Sequence, residues 1–417
     1  MMRKIYTSID IGSDTFKFIV GEAINDKLNI LAATTVKSKG IRKGLIVDSN
    51  LAVNSLRDGI KYINSYLGFD IKKAIINIPD YNVKFMYVTG KSNIQEVVDT
   101  ECINRAIKDS VYNKLDNDYE LVTVIPLDFQ IDDRENIDYP AGLEGKILLS
   151  KGIMVSVPKK NIYSVLSILS AAGLEAEDIT ISGLADYQEV RTDKIDNKVG
   201  AIINLGHETT NVSIINHGKL MNTETIQLGG VNIENDIAYV FGTNIVDARK
   251  IKEKFATCHK RFTNLNETYE LTNNVGDTIR LNQLEVTEVV MSRLQEILKL
   301  ARKQIELLTK KQIEYIVITG GLTEIKSFKN LVYEILGKDV IIYLMDEIGI
   351  RNNMYTTASG MIKYFIEKMK IRGKEYSMVS QNDEELLVTP VELRKKDKVV
   401  VSKIIKNFIK NREERHE

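Results

Sequence analysis

The sequence predicts an α/β protein of two related halves, with a separate strand-helix-strand-strand module set into the first. Three observations carry this. Two β-rich runs joined by a tight polar turn occupy residues 5–22, the same pattern starts again at Val199, and residues 83–160 have a character of their own.

In the opening hairpin each arm is rich in β-branched and aromatic residues, and the turn holds Gly12, Ser13, Asp14 and Thr15. Such a tip offers backbone N–H groups, hydroxyls and a carboxylate to a small anionic ligand. Gly12 lets the backbone approach closely, Ser13 and Thr15 can donate to phosphate oxygens, Asp10 can hold a hydrated Mg²⁺, and Lys17 can neutralise phosphate charge. An ordinary hairpin with a polar tip is the other reading, and one turn does not decide between them.

Residues 27–36 read as a third strand. Asp48 stands as an N-cap before Leu51, Val53, Leu56, Ile60 and Ile63 at helical spacing, and residues 74–78 form a buried strand. The inserted module reads as a strand (84–88), a helix (97–111), a strand (121–131), a turn-rich bridge with Pro140, Gly142 and Gly145, and a strand (146–157). A helix over 161–172, closed by Gly173, returns the chain to the first half; a short apolar strand (174–181) and a polar joint (191–198) follow. The second half repeats the hairpin at 199–215 and adds a strand at 219–227. Gly229 and Gly230 then lead into a helix over 232–240, with another over 247–255. A polar stretch with a hairpin fills 256–285, before a long amphipathic helix (286–308) and a strand at 315–319 ending in Gly320 and Gly321. A helix (327–336), a strand (339–343) and a last core helix (355–369) complete this half.

At 417 residues, 43% hydrophobic and 27% charged, the chain is long enough for two or three compact units. Lys+Arg and Asp+Glu each number 57, so no global basic field points to nucleic acid, and none is expected as a partner. Cys102 and Cys258 lie far apart and outside any CxxC spacing, which suggests a reducing cytosol, buried thiols and no structural zinc. Residues 1–22 are too interrupted for a signal peptide, and no apolar run approaches the roughly 20 residues that span a bilayer. The chain is expected to stay inside the cell.

Two phosphate-type hairpins followed by a strand-Gly-Gly-helix element, in this order, resemble the ATPase fold of actin, heat-shock chaperones and sugar kinases over residues 3–368. That fold consists of duplicated ribonuclease H-like domains. The resemblance implies ATP and Mg²⁺. Asp10-x-Gly12-Ser13-x-x-x-Lys17 matches the first phosphate loop, with Thr15 beside it and Asp10 toward the metal. Asn204-Leu205-Gly206-x-x-Thr209 matches the second. Gly320 and Gly321, with Gly229 and Gly230, fall on the adenosine side. Lys252 and Glu253 resemble the pair that flanks ribose and base, a solvated amphipathic helix being the alternative. The second loop departs from the pattern: Asn204 stands where Asp is usual, and His207-Glu208 replaces a Gly-rich tip. An amide cannot supply a carboxylate's charge, and Glu208 would repel phosphate unless turned away. Nucleotide binding with at most slow ATPase activity is the expectation.

The inserted module, with Val124-Ile125-Pro126 and residues 138–145, is similar to that of the FtsA family of bacterial division proteins, as are residues 38–44, 237–242 and 355–361. The resemblance implies a subdomain of 1–82 with 161–198, an inserted one of 83–160, a third of 199–243 with 313–370, and a fourth of 244–312. It also implies a filament of like copies, later division proteins as partners, and the C-terminal peptide of FtsZ docked on the fourth subdomain near Arg293, Glu296 and Lys299. For these three an exposed helix face is the alternative. Two rival classes stay open: an ATPase or sugar-kinase enzyme, for whose catalytic Asp no motif is present, and a pilus-assembly homologue.

Residues 371–397 read as a flexible linker, and 398–417 recover helical spacing. Val400, Val401, Ile404, Ile405, Phe408 and Ile409 take one face, while Lys403, Lys406 and Lys410 stand on the other. A stripe with a lysine-rich back suits an anionic membrane surface, each lysine contributing about 1 kcal/mol. A last helix packed on its own domain is the alternative. The membrane reading places the protein on the cytoplasmic side of the cell membrane, at the division septum.

Overall fold

A computed structural model describes residues 3–24, 27–272, 276–380 and 382–384. The chain opens with β1 (Lys4–Ile11), β2 (Thr15–Ile24), β3 (Lys27–Lys37), a small hairpin of β4 (Ile41–Arg42) and β5 (Leu45–Ile46), α1 (Ser49–Leu67) and β6 (Lys73–Ile78). Asp48 caps α1 by accepting the Leu51 N–H at 3.0 Å, and Gly68 closes it in the left-handed conformation. The inserted module holds β7 (Lys84–Asn93), α2 (Thr100–Val111), β8 (Tyr119–Ile131), β9 (Arg134–Ile137) and β10 (Ile147–Pro158), paired in the order β7-β10-β8-β9. β9 lies in the stretch expected as a bridge. Its exposed polar residues form an edge strand without an apolar pattern.

Helix α3 (Lys159–Ala171) and β11 (Glu175–Ile181) complete the first sheet, ordered β11-β6-β1-β2-β3. α4 (Ser182–Val190) and α5 (Asp193–Asp196) lead to β12 (Val199–Leu205), β13 (Thr210–Asn216) and β14 (Lys219–Ile226). Then come α6 (Gly230–Val240) and α7 (Ile245–Lys250), which runs on as a π-turn over Ile251–Phe255. β15 (Thr268–Thr272) and β16 (Thr278–Asn282) pair as a hairpin before α8 (Gln283–Leu308), β17 (Tyr315–Thr319), α9 (Phe328–Leu336), β18 (Val340–Ile342) and α10 (Thr356–Ile371). The second sheet runs β14-β13-β12-β17-β18. In both sheets three consecutive antiparallel strands are followed by a strand parallel to the first, β6 beside β1 and β17 beside β12. The repeated hairpin is therefore a repeated sheet.

One core lies between the first sheet and α1 and α3, another between the second sheet and α6 and α8. Two helices fill the space between the sheets. α4, absent from the sequence expectation, is buried at every residue except Gln188, so it carries no apolar stripe to read. α10 was grouped with the second half by its place in the chain. It packs on the first sheet instead: Ser8 Oγ donates to Ala358 O at 2.7 Å, Tyr6 meets Phe365 edge-on at 5.5 Å, and Met361 and Ile362 share their core with Ile19 and Ile75.

The expected linker is not extended where it is described. The Met378 N–H donates to Ile5 O at 2.9 Å, Tyr376 Oη donates to Glu177 at 2.6 Å, and Lys4 pairs with Glu375 at 2.9 Å. β1 pairs with β6 only at Ser8 and Ile9, so its first residues have an open side that this irregular segment fills. Truncation after Gly373 should therefore cost about 2 kcal/mol through lost burial of Tyr376 and Met378, read as a lowered urea midpoint. The remainder of the expected linker, residues 385–397, and the expected helix 398–417 lie outside the described residues. Cys102 and Cys258 are buried and free, and burial raises the Cys258 thiol pKa.

Candidate functional site

The tips of the two hairpins face one cavity of about 510 Å³ between the lobes. Asp10, Gly12, Ser13, Thr15 and Lys17 line it from the first turn, and Asn204, Gly206 and Thr209 from the second. Gly230, Lys252, Glu253, Gly320 and Gly321 complete the sequence-derived set. Gly229 stands behind the wall, its N–H on Asn232 Oδ1 at 3.0 Å. The next two N–H groups of α6 bind Gly206 O and His207 O at 3.1 and 2.7 Å, so this helix start is tied to the second turn.

Asp10 is held on both sides. Lys17 Nζ donates to Oδ2 and Asn77 Nδ2 to Oδ1, each at 2.8 Å, while Asn77 Oδ1 takes the Ile11 N–H at 2.7 Å. Asn77 gave no signal in the sequence because it sits inside the apolar run of β6. A Cβ at Gly12 would stand 2.7 Å from Lys17 Nζ and 2.8 Å from Thr15 O, and one at Gly206 2.8 Å from Thr209 O. Both turns thus present bare backbone to the cavity.

On the second turn, Glu208 accepts the Lys43 N–H from the β4–β5 turn, which resolves the expected repulsion by engaging its carboxylate. His207 Nε2 meets Glu234 at 3.2 Å, and its buried Nδ1, 3.9 Å from Asp14 Oδ1, has no hydrogen-bond partner. Asn204 stands where a carboxylate is usual, but it has one beside it. Its Nδ2 donates to Asp186 Oδ2 at 2.8 Å, and Thr357 Oγ1 donates to Asp186 Oδ1 at 2.7 Å. Asp80 lies close by, capping α4 through the N–H groups of Ser182 and Gly183 at 3.0 and 3.2 Å. Neither Asp80 nor Asp186 belongs to a spaced motif; topology alone brings Asp80 to the cavity wall and Asp186 behind Asn204 and Thr357.

Burial, with repulsion from Asp10, pushes both carboxyl groups up to about 7. Between about pH 4 and 7 the native state then holds more protons than the unfolded chain, so stability falls as pH rises through this window. The slope is up to about 1.4 kcal/mol per pH unit for each extra proton. Urea unfolding from pH 5 to 8 should show this decline, and Asp186→Asn should flatten it. An equally steep decline in the variant would refute the assignment.

A charged bridge crosses the cleft. Asp14 takes Arg249 of α7 in a two-pronged pair at 2.8 and 2.5 Å and also meets Lys37. Burial works against the Asp14 carboxylate, but these two cations hold it well below the ordinary range. Lys252, expected beside the ribose, is not on a solvated helix. Its ammonium meets Glu234 at 2.5 Å, with the two side chains 5% and 3% exposed. Arg249 and Glu234 were missed because each is one charged residue on a helix of ordinary composition.

Arg293, Glu296 and Lys299 lie on α8, outside the cavity. Arg293 forks onto Asp236 of α6 at 2.6 and 2.9 Å and also meets Glu296; Lys299 is exposed. Tyr239 and Val240, three and four residues beyond Asp236, are exposed, Tyr239 to 89%, and Val246 adds to this outer surface. The membrane-facing set Val401, Lys403, Ile404, Ile405, Lys406, Phe408, Ile409 and Lys410 lies outside the described residues. Among the described residues no cluster of three or more His, Cys, Asp or Glu could hold a metal alone.

Two sheets of one plan, closing on a cavity with a phosphate-type turn from each, define a protein of the actin-like ATPase fold. Solved structures agree. MreB5 of Spiroplasma citri bound to ADP superposes with a TM-score of 0.55 at 14% identity, over 88% of this chain and 97% of that one. A PilM-PilN type IV pilus biogenesis complex gives 0.57 at 13%, over 87% and 98%. The family model for cell division protein FtsA matches residues 201–360, and that for the SHS2 domain inserted in FtsA matches 81–156. The cell division protein FtsA of Bacillus subtilis is 26% identical over 395 residues, covering 93% of this chain and 89% of that protein; FtsA of Pseudomonas aeruginosa is 25% identical over 392, covering 90% and 94%. This chain belongs to the FtsA family of cell division proteins.

Proposed function

We propose that this chain is a division adaptor that binds Mg²⁺-ATP between its lobes, assembles with copies of itself, holds the anionic membrane through residues 398–417, and captures the C-terminal peptide of FtsZ. The observation that carries the reading is the meeting of both hairpin turns at one cavity in a chain of the FtsA family. The glycine tips leave room for a ligand against the backbone, and the donors around them suit a polyphosphate. MreB5 bound to ADP and to AMPPNP supports a nucleotide in this fold. Asp10, with phosphate oxygens, would hold Mg²⁺, which supplies charge neutralisation when bound. Ser13 and Thr15 offer hydroxyls, while Gly320 and Gly321 leave a flat wall for a base. With the uncharged Asn204 in the second turn, hydrolysis is slow, and the nucleotide works by binding one lobe arrangement better than another.

On the outer lobe, Arg293 beside exposed Tyr239 and Val240 offers an anchor and an apolar surface for a short acidic-apolar peptide. Arg293→Glu should weaken binding of the FtsZ C-terminal peptide at least tenfold by fluorescence anisotropy, leaving nucleotide affinity unchanged. No helix among the described residues is long and apolar enough to cross a membrane, so attachment to the cytoplasmic face at the septum rests on the tail. Sedimentation with anionic liposomes tests this: the intact chain should pellet and a chain ending at Asp397 should not. Equal binding by both removes the membrane role and favours a soluble relative of the pilus-assembly type.

A further inference from the structure

Three cations that line the cavity are neutralised by carboxylates: Lys17 by Asp10 at 2.8 Å, Arg249 by Asp14 at 2.5 Å and Lys252 by Glu234 at 2.5 Å. Lys43 differs. Its ammonium meets the neutral side-chain oxygen of Gln227 at 2.9 Å, and it forms no ion pair with a carboxylate among the described residues. It also lines the cavity, from the turn of the β4–β5 hairpin.

That turn is held from both lobes. The Lys43 N–H rests on Glu208 of the second hairpin, its C=O accepts Tyr81 Oη at 2.7 Å, and the next N–H, of Gly44, donates to Ser13 Oγ of the first hairpin at 2.7 Å. Lys43 adopts a φ of 50°, uncommon for a residue with a Cβ, and three hydrogen bonds hold it there. Its ammonium reaches across the cleft to Gln227, at the end of β14 in the other lobe.

We propose that Lys43 senses the terminal phosphate of a nucleoside triphosphate, exchanging the amide of Gln227 for an anionic oxygen and thereby separating tri- from diphosphate. The assignment rests on reading the cavity as a nucleotide site. The bond from the ammonium to the Gln227 amide is already charge-assisted through its donor, and exchanging the neutral oxygen for an anionic one adds the attraction between opposite charges. Lys43 makes the exchange without leaving a carboxylate behind, whereas Lys17, Arg249 and Lys252 each must abandon one. Because the same residue's backbone sits on Glu208, engagement of the terminal phosphate also stiffens the hairpin across the cleft. Glu208, the residue least suited to a phosphate turn, thus has a use as the seat of this hairpin.

The test is calorimetric titration of the full-length chain with Mg²⁺-ATP and Mg²⁺-ADP. Lys43→Met should lose about tenfold or more in ATP affinity while ADP affinity stays within about twofold, and Lys43→Arg should retain most of the ATP affinity. Gln227→Glu, which gives the ammonium a carboxylate to leave, should reduce the preference for ATP without removing the lysine. Intact ADP binding certifies the fold of each variant. If Lys43→Met weakens both nucleotides alike, or neither, the sensor is refuted while the nucleotide site stands. If the wild-type chain binds neither, the reading of the cavity fails and takes the sensor with it.

Discussion

Gly360→Ala should destabilise the protein by about 3 kcal/mol or more, despite replacing a helical glycine by the best helix former. A Cβ at this position of α10 would stand 1.9 Å from Ala185 O and 2.6 Å from Ala185 C, backbone atoms of α4. A side-chain clash relaxes by rotation; this one requires two helices to separate. α4 has little freedom to move, since it is buried almost all round and pinned at its start by Asp80. The roughly 1 kcal/mol of helix propensity gained is outweighed by that separation. Urea unfolding is the measurement, and an unchanged midpoint would show that the crossing is loose. Separation of α4 from α10 would also shift Thr357 against Asp186, whose Oδ1 it now meets at 2.7 Å.

Lys252→Met should cost a comparable amount, about 3–5 kcal/mol, by leaving the Glu234 carboxylate buried with only His207 at hydrogen-bonding distance. Removing both charges, as Glu234→Gln with Lys252→Met, should recover most of the loss, because the cost lies in the uncompensated charge more than in the pair's net strength. A double variant as unstable as the single would mean that Lys252 acts through packing of its stem. The acid side offers a second check. Burial opposes the Glu234 charge, but His207 and Lys252 hold its pKa below the ordinary carboxylate value. Its contribution is therefore present above about pH 4.5 and lost as pH falls below that, a window separate from the decline attributed to Asp80 and Asp186.

Much of the site could be read from the chain because its parts are local. A turn of Gly12-Ser13 or Asn204-Leu205-Gly206 carries its chemistry within a few residues, and β-rich flanks announce the strands on either side. α1 was legible through Asp48 and its apolar stripe, and α8 through its stripe alone. α4 was not, because a helix surrounded by protein on every side needs no polar face. The packed segment at 374–380 was read as linker because irregular backbone leaves no period, although Tyr376 and Met378 are its anchors. Asp14, Arg249, Glu234 and Lys43 are unremarkable in sequence, and each acquires meaning only from a partner 18 to 235 residues away.

What the amino-acid sequence determined by itself was the duplication, the inserted module and the two glycine-tipped turns, since strand propensity and turn chemistry act between near neighbours. What the tertiary structure decided was which charges meet: that Asn204 stands beside Asp186, that Glu208 seats a hairpin from the other lobe, and that Lys252 is buried. Coulombic and hydrogen-bond energies depend on distance through space and on exclusion of water, and neither is set by separation along the chain.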